Sequence, residues 1–497
     1  MTTRSFLLRA LPTFLLVGAA SCHAAPPAAA VPAPDTVGTA ALAELARATR
    51  AATTVPEHAF VLMDLIGPRM SATAEGERAR SYAAERFTEY GLENVREEVF
   101  PLLAWERSEA SMTVLTPDPV AGREMSILSL GQVGSFSVEA RVVDAGHAVA
   151  EDFERLGDGV RGAIVLAQPG QPEGYGRGVH RSEKIALAEA AGAAGFVLIA
   201  PGSLVQVGVA TLGDHETGIP AVAADYETGA WLTRIVERFP GEVRARLVTD
   251  NRMARTTDAN VLADIPGTTD EVVLVGAHLD SWDLATGAVD NGSGSVAVLD
   301  IARALAEHVR ASGERPRRTI RFALWMGEEL GLYGSRHHVE TRKESGRLDD
   351  YVAVLNLDVV GTPTGLGAVG RPEAAALLRP IARGLNAGGW ELSEEIGTGG
   401  GLYSDHMPFM LEGVPILTLG RTLPERAAGV THTSADTRDK LDEEGIADAA
   451  AVSAALLWAV ANAADHPLDR WSFERTGEVM ESLGFRDPLE RSGEWRW

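Results

Sequence analysis

The sequence predicts an α/β protein: a mixed, largely parallel sheet covered by helices on both faces, with a smaller β-rich domain inserted into it. Three observations carry this. Short apolar runs at Val272–Val275, Thr319–Met326, Val352–Leu357 and Val414–Leu419 have the length and continuous hydrophobicity of strands buried on both faces. Helix-periodic stretches, Ser295–Leu305 and Glu443–Ala464, alternate with them. Between Val114 and Arg252 the texture changes to short Val/Ala-rich runs divided by Gly and Pro.

The chain opens with the pattern of an export signal over residues 1–22. Arg4 and Arg9 flank a short apolar patch, and Ala10–Ala20 forms a core interrupted too early, by Arg9 and Pro12, to span a bilayer as a helix. Cys22 is the only cysteine, and Ala19-Ala20-Ser21 before it resembles a degenerate lipobox. The expectation is an exported protein, attached to the cell envelope through lipidated Cys22 or, with ordinary cleavage nearby, secreted. The mature chain then has neither disulfides nor thiolate chemistry. Residues 23–39, rich in Ala and Pro, read as a tether. A net charge of −24 argues against nucleic acid, and against any membrane contact other than a lipid at Cys22.

Residues 40–113 read as the first part of the main domain. Ala79, Ala83, Phe87 and Tyr90 share one helical face, Gly91 stops that helix, and Val95–Phe100 reads as an edge strand. Arg69 and Ser71 read as parts of a structural turn. The insert spans 114–252, with strands at Ala140–Val143, Ala163–Ala167, Gly195–Ile199 and Ala221–Ala224 and a helix at Glu183–Ala191. It shows no His/Asp/Glu cluster at ligand spacing, and His180 and His215 read as solvated loop residues. The main domain resumes over 253–464, with its return to the sheet at Asn260-Val261. His337 and His338, adjacent on a helix and about 100° apart, cannot share a metal and read as surface. The Gly-rich stretch 397–406 lacks the Lys-Ser/Thr of a phosphate loop. Residues 465–497, with Trp471, Trp495 and Trp497, form a C-terminal extension with no functional signal.

Chemistry concentrates where the apolar runs end. His278 and Asp280 follow the first, Glu328 and Glu329 the second, Asp358 the third; Asp290 stands at a helix entrance and His432 in the polar loop THTSAD. Ligands in open α/β sheets bind at the carboxyl ends of strands. His278, Asp290, Glu329, Asp358 and His432 offer only nitrogen and oxygen donors, with Glu328 unused beside them. That set suits two hydrolytic divalent ions and a general base.

The segment HLDSWD…GAVDNGSG, the Glu-Glu pair, NLD and the late histidine resemble the M28 family of co-catalytic zinc peptidases, in the form that carries a protease-associated domain insert. The resemblance runs from about Leu62 to about Ala464. It implies two zinc ions, with cobalt or manganese also compatible with the donors. Asp290 would link the two ions, His278 and Asp358 would serve one, Glu329 and His432 the other, and Glu328 would be the base. Asp280 is expected to accept a hydrogen bond from the distal nitrogen of His278. Trp282, Tyr403 and Asp405 are the expected substrate contacts. The insert is expected to wall the cleft and limit substrate length. The implied activity is exopeptidase action on short peptides, of aminopeptidase or dipeptidase type, by a homodimer. The acidic surroundings favour a free amino end, so acetylation should cost more than carboxyl-terminal amidation. The alternatives are one-metal acyl transfer of the glutaminyl-cyclase kind and a non-catalytic receptor of the same fold.

Overall fold

The computed structural model describes residues 38–211, 213–464 and 468–497. The expected export signal, Cys22 and residues 23–37 of the expected tether lie outside the described residues. Among the described residues, thirteen strands join in one mixed sheet: β1 (Glu93–Thr116), β2 (Ile127–Ser129), β3 (Phe136–Asp144), β4 (Ile164–Ala167), β5 (Gly195–Ile199), β6 (Ala221–Ala224), β7 (Arg244–Ile265), β8 (Val272–His278), β9 (Thr319–Trp325), β10 (Tyr351–Asn356), β11 (Thr362–Ala368), β12 (Ser393–Gly397) and β13 (Ile416–Thr422). Their order is β12-β11-β13-β10-β8-β9-β7-β3-β4-β5-β6-β2, with β1 pairing β7. β8 lies between β9 and β10, parallel to both, and β13 runs parallel to β10.

Residues of β8 and β9 alternate between two cores, as a sheet covered on both faces requires. Val273, Val275 and Phe322 pack in one core with the helices Ser293–Ser312 and Glu443–Asn462. Leu274 and Trp325 pack in the other with Met407 and Phe409. Burying each side chain of this size contributes ~1.5–3 kcal/mol, so neither face can be given up to solvent. The helix Glu443–Asn462 is long and apolar enough to cross a membrane by composition, but it is buried inside the protein. A helix apolar on all sides belongs in such a core.

The helix Ala74–Tyr90 forms as its spacing predicts, with the Thr73 hydroxyl capping the amide of Gly76 and Gly91 closing it at φ 82°. The expected edge strand forms and is longer than its pattern suggests. The edge strand at Val95–Phe100 is part of β1, which pairs antiparallel with β7 along its whole length. β1 and β7 pass straight from the main domain into the insert. A register shift between Glu106 and Glu109 marks the crossing. β7 pairs β9 through Val261–Ile265 on one side of that crossing and β3 through Arg244–Thr249 on the other.

His338 is not the surface residue expected. It is fully buried, with Nδ1 at 2.7 Å from Glu98 Oε2 and Nε2 at 2.7 Å from the Tyr351 hydroxyl. The strands β1 and β10 supply those partners, so a helical pattern alone reads the residue as surface. The C-terminal extension forms the helices Phe473–Ser482 and Arg486–Arg491, and Trp471 packs under the Arg371 guanidinium at 3.8 Å.

Candidate active site

Because β8, β9 and β10 are parallel neighbours, their carboxyl ends open on one edge. His278 is the last residue of β8, Glu328 and Glu329 follow β9, and Asp358 follows β10. His278 Nδ1 donates to the Asp280 carbonyl at 3.1 Å, which aims Nε2 at Asp290 Oδ1 (3.2 Å) and Asp358 Oδ1 (3.5 Å). His432 Nδ1 donates to the Val207 carbonyl of the insert at 3.2 Å, and its Nε2 lies 3.1 Å from both Asp290 Oδ2 and Glu329 Oε2. Asp290 thus turns one oxygen to each imidazole.

The loops that carry these groups are held from behind. The Asp436 carboxylate accepts the amides of Val289 (2.6 Å) and Asp290 (3.1 Å). Asn291 donates to the Leu357 carbonyl and accepts from the Val359 amide, joining the Asp290 loop to the Asp358 loop. Ser404 donates to Asp358 Oδ2 at 2.6 Å. Arg69, fully buried, donates to the carbonyls of Gly67, Leu279, Thr286 and Gly287, so it is the structural turn residue expected of it.

Negative charge is in excess here. Burial alone would lower the pKa of both imidazoles. Around His278, Glu328, Asp280, Asp290 and Asp358 overcome that and push it well above the usual value; Glu329 and Asp290 raise His432 to about 10. Burial raises the carboxyls of Glu328 and Glu329; the Glu329 charge adds to the effect at Glu328, and the Asp290 charge adds to it at Glu329. Glu329 Oε1 is buried with no hydrogen-bond partner among the described residues. Donor atoms of His278, Glu328 and Asp358, and of His278, Asp290 and Glu329, lie within 4.8 Å of one another in each group. A crowded set of oxygen and imidazole donors with an orphaned buried oxygen fits divalent cations, which would take the place of the imidazole protons.

A cavity of about 610 Å³ opens over this cluster, a size that suits a small ligand. Residues of the main domain such as Glu328 and Tyr403 line one side, and His180, Arg181 and Gln206 of the insert line the other. The insert does wall the cleft. His180 is not a solvated loop residue: it caps the helix Arg181–Ala190 and stacks on Tyr403 with ring centroids 4.7 Å apart. His215 is exposed, as expected.

Three further expectations change. Asp280 does not hold His278 through its carboxylate, which stands 3.6 Å from Nδ1; the backbone carbonyl does so. The carboxylate instead accepts the amides of Glu328 and Glu329 at 3.3 Å each, and the Ser71 hydroxyl at 3.2 Å. Trp282 is buried between Trp105 and His432 and does not line the main cavity. Asp405 is buried and likewise absent from the lining; burial and the nearby Asp280 and Asp358 raise its carboxyl to about 7. Of the three expected substrate contacts, Tyr403 alone faces the cavity. Asp436, Asn291 and Arg181 escaped sequence reasoning. The asparagine in DNGSG and the aspartate closing THTSAD were the only signals for the first two.

Residues 260–457 match peptidase family M28, and residues 138–232 match the PA domain. Carboxypeptidase Q of Mus musculus is 30% identical over 426 residues, covering 82% of this chain and 85% of its own length. The chain belongs to peptidase family M28. As an M28 member it carries its PA domain inside the peptidase fold. An aminopeptidase of Pseudomonas aeruginosa (strain UCBPP-PA14) is 31% identical over 345 residues, 63% of this chain and 60% of that one. A peptidase M28 precursor from Shewanella amazonensis shares the fold, with a TM-score of 0.70 at 24% identity over 86% of this chain and 98% of that one. So does a zinc aminopeptidase from Bacillus subtilis, with a TM-score of 0.64 at 24% identity and the same coverage of both chains.

Proposed function

We propose that this M28 peptidase is a two-zinc exopeptidase acting on short peptides. One observation carries the reading: Asp290 presents Oδ1 to His278 and Oδ2 to His432, at 3.2 and 3.1 Å, so one carboxylate links two donor sets. His278 and Asp358 would hold one ion, Glu329 and His432 the other, with Asp290 shared. The zinc aminopeptidase of the same fold supports zinc, and cobalt or manganese suit the same donors. Such a pair of ions supplies a water of lowered pKa and a polarised scissile carbonyl.

The remaining work falls to the chain. Glu328 faces the cavity, and its carboxylate makes no hydrogen bond among the described residues, whereas Glu329 is engaged with His432. Glu328 therefore accepts the proton of the attacking water and delivers it to the leaving amine nitrogen. Asp280 holds the Glu328–Glu329 turn, and Asp436 holds Asp290. The insert closes one wall of the cavity, which limits the substrate to short chains. The export signal and a lipid anchor at Cys22 remain part of the proposal: Cys22→Ser should release the protein from the membrane fraction, and a soluble wild type with another amino terminus would remove the anchor.

Metal analysis of the purified protein, with a dipeptide panel before and after chelation, tests the function. Two equivalents of metal, activity lost to chelator and activity restored by zinc are expected. A protein that binds no metal and cleaves none of the panel would overturn the proposal.

A further inference from the structure

The C-terminal extension grips the insert through a ring of charges. Arg177, in the loop before the helix Arg181–Ala190, donates to both oxygens of Glu183, at 2.8 and 3.0 Å. Its Nε donates to Asp487 of the extension at 2.7 Å. Arg491 Nε, also of the extension, stands 3.0 Å from Glu183 and 3.1 Å from Asp487. Two residues of the insert and two of the extension thus alternate in sign around a closed ring.

An isolated pair on a surface contributes little. This ring differs, because the Glu183 side chain is only 8% exposed and both its cationic partners belong to the ring. Breaking one contact leaves a buried charge half paired. A cavity of about 290 Å³ opens between helix and extension, with Ser182 and Glu183 on one side and Arg491 and Ser492 on the other. Charges, and not a continuous apolar core, therefore bridge this junction.

The extension is anchored on the main domain. Its Val479, Met480 and Leu489 share a core with Met407 and Phe409. Its Glu494 pairs with Arg336 at 2.5 Å, and Arg336 Nε donates to the Gly331 carbonyl just after the Glu328–Glu329 turn. At the other end, Glu183 lies in the first turn of the helix whose cap, His180, stacks on Tyr403 in the wall of the catalytic cavity.

We propose that Asp487 and Arg491 are positioning residues of the peptidase site, acting through Arg177 and Glu183 to hold the insert wall against Tyr403. The inference rests on the peptidase reading above and gives the C-terminal extension a part in substrate binding. None of the candidate metal donors lies on the insert, and neither does Glu328. A wall released at the ring therefore leaves the chemistry in place and loses the surface that holds the peptide, so the loss falls on KM.

The test measures zinc content, kcat and KM for Ala-Leu on the zinc-loaded full chain. Residues of one ion-pair network couple by an amount corresponding to about 2- to 100-fold. KM should rise about 10-fold in Arg491→Gln and in Asp487→Asn, with zinc and kcat near wild type. Arg491→Lys should fall between, and adding Arg491→Gln to Glu183→Gln should cost nothing further. Arg486→Gln, which removes an arginine bonded only within the extension, should leave KM unchanged. An unchanged KM in Arg491→Gln and Asp487→Asn, or an equal rise in Arg486→Gln, would overturn the proposal. So would losses that add in the double variant, or that fall on kcat or zinc as a purely structural role requires. Hydrogen exchange on chelator-treated protein separates the two readings. Faster exchange of the Arg181–Ala190 amides in Arg491→Gln, with a wild type that cleaves no dipeptide, keeps the positioning role and refutes the peptidase reading. Hydrolysis with both exchange and KM unchanged does the reverse.

Discussion

Val207 of the insert and His432 of the peptidase domain exchange two hydrogen bonds: the Val207 amide donates to the His432 carbonyl at 3.0 Å, and His432 Nδ1 donates to the Val207 carbonyl at 3.2 Å. The insert therefore sets both the ring tautomer and the backbone position of a candidate ligand, whose φ of 61° is in the left-handed region. Partners of this kind behind a ligating histidine typically matter by 10–100-fold in metal affinity. Val207→Pro removes the amide donor that holds the His432 backbone and keeps the carbonyl behind Nδ1, so zinc retention should weaken by about 10-fold, the lower end of that range. Competition with a chromogenic chelator measures it, and wild-type retention would show that the insert does not position His432.

The corrected role of Asp280 gives a second prediction. Its buried carboxylate serves the amides of Glu328 and Glu329 and the Ser71 hydroxyl, so Asp280→Ala strands three donors. Leaving buried donors unsatisfied costs ~1–3 kcal/mol. Denaturant unfolding of chelated protein should show that loss with no metal present. A variant as stable as wild type, but defective in zinc binding, would return Asp280 to the tautomer-fixing role expected from the sequence.

How far the sequence reached follows from the range of the interactions involved. The ends of β8, β9 and β10 could be placed because buried parallel strands announce themselves locally, and the open-sheet rule then brings His278, Glu329 and Asp358 to one edge. Trp282 misled because the same loop that carries His278 turns its indole inward, beneath His432. His180, Arg181 and His338 depend on how segments more than a hundred residues apart dock, and no periodicity encodes that. The join at β1 and β7 carries no local signal, because two charged, irregularly patterned strands continue across it.

A third prediction concerns acid stability. His58 is buried, with Nδ1 at 2.7 Å from the Tyr82 hydroxyl and Nε2 at 2.8 Å from that of Tyr90; burial outweighs the attraction of Asp300 and depresses its pKa to about 4. The folded value lies below the unfolded one. The contribution is thus complete above about pH 6.5 and is lost as pH falls towards 4, where the unfolded chain binds a proton that the folded one refuses. Between pH 7.5 and 4.5 this amounts to about 2–3 kcal/mol. His58→Gln should flatten the pH dependence of unfolding by that amount in chelated protein; an unchanged slope would mean that His58 is charged in the folded state.

The central claim is that adjacent glutamates do different work, Glu328 moving the proton and Glu329 holding metal. Zinc stoichiometry set beside kcat for Glu328→Gln, Glu329→Gln and Asp290→Asn tests it most directly. Glu328→Gln should keep wild-type zinc while kcat falls about 10²–10⁴-fold, the usual range for a general base. Glu329→Gln and Asp290→Asn should lose zinc first and activity with it. Zinc lost from Glu328→Gln, or kcat largely kept, would contradict the division of labour, and three variants as active as wild type would contradict the two-zinc peptidase itself.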